Sequence, residues 1–123
     1  MPNYTAMTLS AATNGALIKV TTTATPGTTI HTATSTDSPE GCDEVWLWAG
    51  STHSAAVNCT LQIGAAGDDG QSLNFRVPAA YNGPIPILAG HRVLDGRVIT
   101  ATASVAERVN IWGNVNRISG QGT

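Results

Sequence analysis

The chain has 123 residues, of which 41% are hydrophobic and only 11% are charged, with a formal net charge of −2. This length suits one domain that buries a core without metals or disulfides. The basic residues are scattered, which excludes the concentrated positive face that nucleic acids or anionic membranes require. The low charge instead favours a surface that other proteins cover, because the centres of protein interfaces are depleted in charge.

The N-terminal residues Met1-Pro2-Asn3-Tyr4 lack the basic segment and apolar run of a signal peptide, and no apolar run reaches the length of a membrane span. We therefore expect synthesis in a cytoplasm. In that reducing compartment Cys42 and Cys59 are expected to be free, buried thiols. The alternative, a disulfide, requires the two strands that carry them to be neighbours.

Apolar and polar residues alternate with a two-residue period along most of the chain, and helical periodicity is almost absent. The pattern predicts one all-β domain over residues 1–123: a β-sandwich of jelly-roll type with seven or eight short antiparallel strands. Residues 1–15 are interpreted as an extended N-terminal arm and residues 119–123 as a tail. In chain order, the predicted strands are residues 16–23, 28–34, 44–49, 55–64, 72–77, 84–88, 97–103 and 108–115.

Three of these segments have individual features. The Thr-rich region 21–36 is divided by the turn signal Pro26-Gly27, so it is either an outer hairpin or an arm that orders on a neighbour. Residues 44–49 are apolar on both faces, which is typical of a central strand covered on both sides. Pro84 and Pro86 cannot donate ladder hydrogen bonds, so their segment is predicted at a sheet edge.

No catalytic or metal-binding constellation is found in the sequence. The histidines are His31, His53 and His91. They are far apart and lack metal-ligand spacing, and the two cysteines do not form a CxxC pair. We therefore predict a non-enzyme without cofactor or metal.

Two pairs of neighbouring carboxylates are candidates for a site. Asp43 and Glu44 are adjacent in a strand, so they point to opposite faces and cannot share the chemistry of glycoside hydrolysis. Asp68-Asp69 lies in the loop 64–70 and could help to bind Ca²⁺, but the remaining oxygen ligands are lacking. A hairpin tip is the favoured interpretation of that loop.

Three tryptophans are the large aromatic residues, with Trp46 and Trp48 on the same face of one strand and Trp112 in another. We expect them in the core or in a subunit interface, where Trp is favoured. The alternative is an exposed platform on which sugars stack.

The C-terminal half contains a Pro-flanked strand in residues 81–90, a leucine, short turn and alternating strand in residues 94–103, and an alternating strand with Gly113 and a final Ile118. Over roughly residues 43–118 this pattern resembles small virion proteins of tailed bacteriophages. The resemblance implies a β-sandwich subunit on a capsid, of the decoration (cement) type, or a fibre or tail component.

The leading hypothesis is a phage capsid decoration protein that is made in the host bacterial cytoplasm and stabilises the assembled head. It would bind the assembled shell in preference to free capsid chains, and so favour the assembled state by mass action. Its predicted partners are the major capsid protein and copies of itself, as a homotrimer. The candidate interface residues are Met1, Pro2, Asn3, Tyr4, Pro84, Ile85, Pro86, Ile87, Ile118 and Thr123.

The alternative hypothesis is a carbohydrate-binding or host-recognition module. It requires exposed tryptophans beside polar groups such as Asp43, Asn114 and Asn116. An N-terminal arm that folds on its own domain would favour such an independent module.

Overall fold

Nearly all regular structure in the described chain is β-strand. The computed structural model describes residues 3–24, 27–34, 41–64, 72–94 and 96–119. The strands are β1 (Asn3–Met7), β2 (Ile18–Lys19), β3 (Thr28–Thr32), β4 (Gly41–Ser51), β5 (Val57–Gly64), β6 (Ser72–Val77), β7 (Ile85–Val93), β8 (Val98–Ala103) and β9 (Val109–Ser119). A short 3₁₀ turn, Ala80–Asn82, lies between β6 and β7.

The strands form two antiparallel sheets with jelly-roll connections. Sheet A has the order β1-β9-β4-β7, with β2 also pairing along β9, and sheet B has the order β3-β8-β5-β6. The pairings are nested: β5 with β6, β4 with β7, β3 with β8, and β1 with β9. This is a long two-stranded ribbon that rolls up until β4 meets β9 and β5 meets β8. The predicted antiparallel sandwich of jelly-roll type is confirmed.

The core lies between the sheets and follows the inward positions of the alternating strands. Val45, Leu47 and Ala49 of β4 are fully buried, as are Ile99 and Ala101 in the opposite sheet. Removing a large apolar side chain of this kind from water stabilises the fold by about 1.5–3 kcal/mol. One face of each sheet is therefore fixed toward the core, and the other face is left for function.

The two-residue alternation in the sequence predicted the positions of the strands better than their lengths. The predicted strand 16–23 contains only the two-residue β2, although Ile18 is buried and Leu17 and Lys19 are exposed, as the alternation requires. The difference arises because side-chain alternation needs only an extended backbone, whereas a strand also needs a neighbour with which to pair. Conversely, β4 is longer than the predicted 44–49, and its outer face is only half covered.

Several predictions concern the chain ends and edges. Residues 3–7, predicted within an arm, pair with β9 of the same chain. Residues 85–93 form the edge strand β7, so the position predicted from the prolines is confirmed. The candidate interface residues Met1, Pro2 and Thr123 and the loop tip Asp68-Asp69 lie outside the described residues.

Candidate functional site

The three tryptophans lie together on the outer face of sheet A. Trp46 and Trp48 alternate with the buried inward residues of β4, so their side chains point away from the core and are half-buried. Trp112 of β9 is directly opposite Trp48 in the β4–β9 pair. None of the three belongs to the core cluster. We call this group, Trp46, Trp48 and Trp112, the aromatic face.

Two glycines leave room for the rings close to the sheet. A Cβ on Gly90 would come within 3.1 Å of the Trp46 ring, and one on Gly50 within 3.2 Å of the Trp112 ring. Gly90 has a φ of +75°, and it is the extra residue of a bulge in β7 between the partners of Val45 and Trp46. A larger residue at either glycine would crowd the neighbouring ring, so these positions help to set where the rings lie.

The surroundings of the aromatic face are polar. Asn114 of β9 is opposite Trp46 and exposed, and Asn116 continues the same row. At one end, Glu44 and Arg92 form an ion pair at 3.2 Å, so their charges offset each other. The indole N–H of Trp46 is buried and has no acceptor among the described residues, so packing alone holds this ring. An apolar centre with a polar rim is the usual anatomy of a protein interface.

A buried ionic network joins the two sheets near the start of β4. Asp43 is fully buried and accepts two hydrogen bonds from Arg117, its partner in β9, at 2.8 and 3.0 Å. Its carboxylate also lies 2.7 Å from Nε2 of His31, which belongs to sheet B, and accepts from the backbone N–H of Thr34 at 3.1 Å. Asp43 therefore links three strands from both sheets.

The second nitrogen of His31 fixes the protonation of the ring. Nδ1 accepts a hydrogen bond from the backbone N–H of Ser10 at 3.0 Å, so the proton is on Nε2 and points at Asp43. Ser10, His31 and Asp43 have the composition of a hydrolase triad, but the serine Oγ instead accepts from the backbone of Thr32 at 2.7 Å. His31 has no free nitrogen to accept a hydroxyl proton, so this network supports the fold.

Arg117 determines how Asp43 titrates. Burial alone would raise the pKa of Asp43, but hydrogen bonds from Arg117 and His31 and the positive charge of Arg117 outweigh it. The pKa therefore lies below its ordinary value of 3.8. A depressed carboxyl pKa contributes stability above the unfolded-state pKa, and this contribution is lost as the pH falls through the folded-state pKa.

This gives a prediction for Asp43→Asn. Near pH 7 the variant should have a lower free energy of unfolding than the wild type. As the pH falls below about 4, the Asp43 carboxyl of the unfolded wild type takes up a proton first, and the gap should narrow until the folded-state carboxylate is protonated as well. Urea unfolding at several pH values measures the gap. A gap that stays constant down to about pH 2 would contradict the depressed pKa.

The structure separates the remaining interface candidates into two groups. Asn3 and Tyr4 are in β1, and Tyr4 is opposite Ile118, which is itself buried. At the other edge of sheet A, Pro84 and Pro86 are exposed, while Ile85 and Ile87 are half-buried. β9 and β4, which carry the aromatic face, lie between the two groups.

Sequence reasoning missed the network around Asp43, although a signal was present. Asp43 has the same two-residue phase as Val45 and Leu47, so an inward carboxylate could have been inferred, and Arg117 has the phase of Val115. Asp43 and Glu44 do point to opposite faces, as predicted. Because Asp43 is buried away from the aromatic face, its expected role beside exposed tryptophans is wrong.

The two cysteines are buried thiols. Cys42 and Cys59 form no disulfide, as expected, and burial raises the pKa of the Cys59 thiol to about 11. Within the described residues, no group of three or more His, Cys, Asp or Glu side chains could hold a metal ion. No helix in this part of the chain is long and apolar enough to cross a membrane.

Comparisons with protein-family models, with curated proteins and with solved structures found no match.

Proposed function

We propose that this protein is a structural virion protein of the capsid-decoration type, which binds an assembled phage head through the outer face of sheet A. The observation that carries the proposal is the position of the tryptophans. Trp46, Trp48 and Trp112 lie on an outer sheet face and not in the core. Aromatic residues of this kind supply much of the energy of protein interfaces.

The chemistry of the surrounding surface favours a protein partner. The ion pair of Glu44 and Arg92 beside the aromatic face is internally neutral, so covering this pair buries no unpaired charge there. Only 11% of the chain is charged, which agrees with a surface that neighbours cover. The segments whose pattern resembles phage virion proteins include Trp112, and the resemblance as a whole covers roughly residues 43–118.

The β7 edge of sheet A argues against assembly by simple strand addition at that edge. β7 has Pro86 within it and two register shifts against β4, and both features disrupt a pairing edge. Association through the sheet face therefore fits better than continuation of the sheet into a neighbour at β7. The expected unit is a homotrimer that contacts the major capsid protein. Light scattering on the purified protein tests whether it forms a trimer.

The mechanism is thermodynamic. A protein that binds the assembled shell but not dissociated capsid chains lowers the free energy of the assembled state. Heads that lack this protein should release their DNA at a lower temperature than complete heads. Equal heat resistance of the two kinds of head would count against the proposal.

The aromatic face gives a sharper prediction in a reconstitution assay. Trp48→Ser should weaken binding to heads that lack the protein by about 30-fold or more, because a central interface aromatic contributes roughly 2 kcal/mol or more. Asn114→Arg should also prevent binding, because it places a charge beside Trp46 at an exposed position that tolerates substitution.

Leu73→Ser is the matched control. Leu73 is an exposed apolar residue of the edge strand β6 in sheet B, so this variant loses apolar surface away from the aromatic face. It should bind heads like the wild type. If it weakens binding as much as Trp48→Ser, the aromatic face is not the docking surface.

A carbohydrate-binding module is the second candidate. Two observations favour it: the tryptophans lie beside Asn114 and Asn116, and β1 folds on its own chain. A change of tryptophan fluorescence on adding neutral sugars, lost in Trp48→Ser, would favour this candidate. Binding to heads without any sugar response would favour the decoration protein.

A further inference from the structure

A polar groove crosses the outer face of sheet B, on the opposite side of the sandwich from the aromatic face. Its volume is about 590 Å³, within the usual range for small-ligand sites. The polar side chains in its lining are Thr23, Asn58, Thr60, Asn74, Arg76, Thr102 and Ser104. We propose that this groove binds a saccharide that carries a carboxylate, such as one containing a uronic acid.

The central row of the groove is set by strand register. Thr60 of β5 is opposite Asn74 of β6 on one side and Thr102 of β8 on the other. The Thr60 hydroxyl donates to Oδ1 of Asn74 at 3.0 Å. Because the amide oxygen of Asn74 is occupied, its NH₂ group is left to donate to a ligand. The row therefore presents donors at its β6 end.

Arg76 adds a positive charge next to these donors. It follows Asn74 by two residues, so both side chains lie on the same face of β6. Its guanidinium is exposed and has no ion pair with a described residue, and it is the sole charged group in the described lining. A guanidinium pairs with a carboxylate through two parallel hydrogen bonds, which fits an anionic ligand group.

The remaining lining selects a ligand rich in hydroxyl groups. Asn58, Thr102 and Ser104 offer groups that both donate and accept, which match the paired donors and acceptors of a sugar. One cation among several hydroxyl and amide groups complements one carboxylate among several sugar hydroxyls. A peptide would pair by its backbone at a free strand edge, whereas this groove lies across three hydrogen-bonded strands.

The experiment is an NMR titration of the full-length protein with digalacturonic acid and with the neutral disaccharide of galactose. We expect the acidic disaccharide to shift amide signals around Asn74 and Arg76, and to bind about tenfold more tightly than the neutral one. Arg76→Gln should lose this advantage. Arg97→Gln, which changes another exposed arginine outside the groove, should keep it.

Each of the following outcomes would overturn the inference. No binding of the acidic disaccharide at millimolar concentration, or equal binding by Arg76→Gln and the wild type, removes the groove as a site. Binding of an acidic peptide without binding of the sugar assigns the groove to a protein partner instead. Loss of sugar binding in Trp48→Ser but not in Arg76→Gln places the ligand on the aromatic face. The result is independent of whether the protein decorates a capsid.

Discussion

Asp43→Ala should lower the free energy of unfolding by about 3 kcal/mol, because it removes the acceptor on which a buried network converges. The substitution leaves the Nε2–H of the fully buried His31 without its acceptor and removes the carboxylate that accepts from the backbone N–H of Thr34. It also leaves the charge of Arg117 without its counter-ion. Because the Arg117 side chain is 34% exposed, water can solvate part of this charge. The loss is a large fraction of the stability of a small domain. Urea unfolding near pH 7 measures it.

Glu44→Ala is the matched control for this prediction. Glu44 is the next residue of β4 and forms an ion pair with Arg92, whose side chain is 58% exposed. An exposed pair of this kind contributes less than about 1 kcal/mol. Similar losses for the two alanine variants would show that the buried network does not stabilise the link between the sheets.

Gly113→Ala should be at least as damaging, with a loss of about 3 kcal/mol or failure to fold. A Cβ at this position of β9 would overlap the carbonyl oxygen of Trp46 and crowd Cα of Leu47 in the neighbouring strand. Backbone atoms in the middle of a sheet cannot turn aside as a side chain can, so β4 and β9 would have to separate. Thermal and urea unfolding of the variant test this expectation.

Gly96→Ala is the control that separates the steric overlap at Gly113 from the general loss of stability on replacing a glycine. Gly96 has a φ of +68° and open space around the position of a Cβ. Alanine there meets only the conformational penalty of the left-handed region, about 1 kcal/mol. If Gly113→Ala lowers the free energy of unfolding no more than Gly96→Ala does, the close approach of β4 and β9 does not restrict position 113 to glycine.

The same close approach shows how the aromatic face depends on the fold. Gly113 lies between Trp112 and Asn114, and its partner Leu47 lies between the two tryptophans of β4. Tight contact of these two strands brings Trp112 opposite Trp48. Sequence alternation places both tryptophans of β4 on one side, but strand pairing brings the third tryptophan to them.

The sequence alone was sufficient to predict the all-β class, the approximate position of most strands and the edge position of the Pro84–Pro86 segment. These features are local: two-residue alternation and the missing N–H of proline act within a few residues. Asp43 and Glu44 could be placed on opposite faces for the same reason. What alternation does not give is which of the two faces is buried when both are apolar, as in residues 44–49.

Only the tertiary structure decided which face of residues 44–49 is buried and which residues pair across neighbouring strands. Rolling the ribbon buries Val45 and Leu47 between the sheets and leaves Trp46 and Trp48 outside. It also brings Asp43 to Arg117, 74 residues away along the chain. Such pairings depend on the sum of many weak contacts over the whole sandwich, which no short segment encodes. The residues of this protein are therefore locally predictable as strands, but its aromatic face, buried network and polar groove exist only once both sheets have formed.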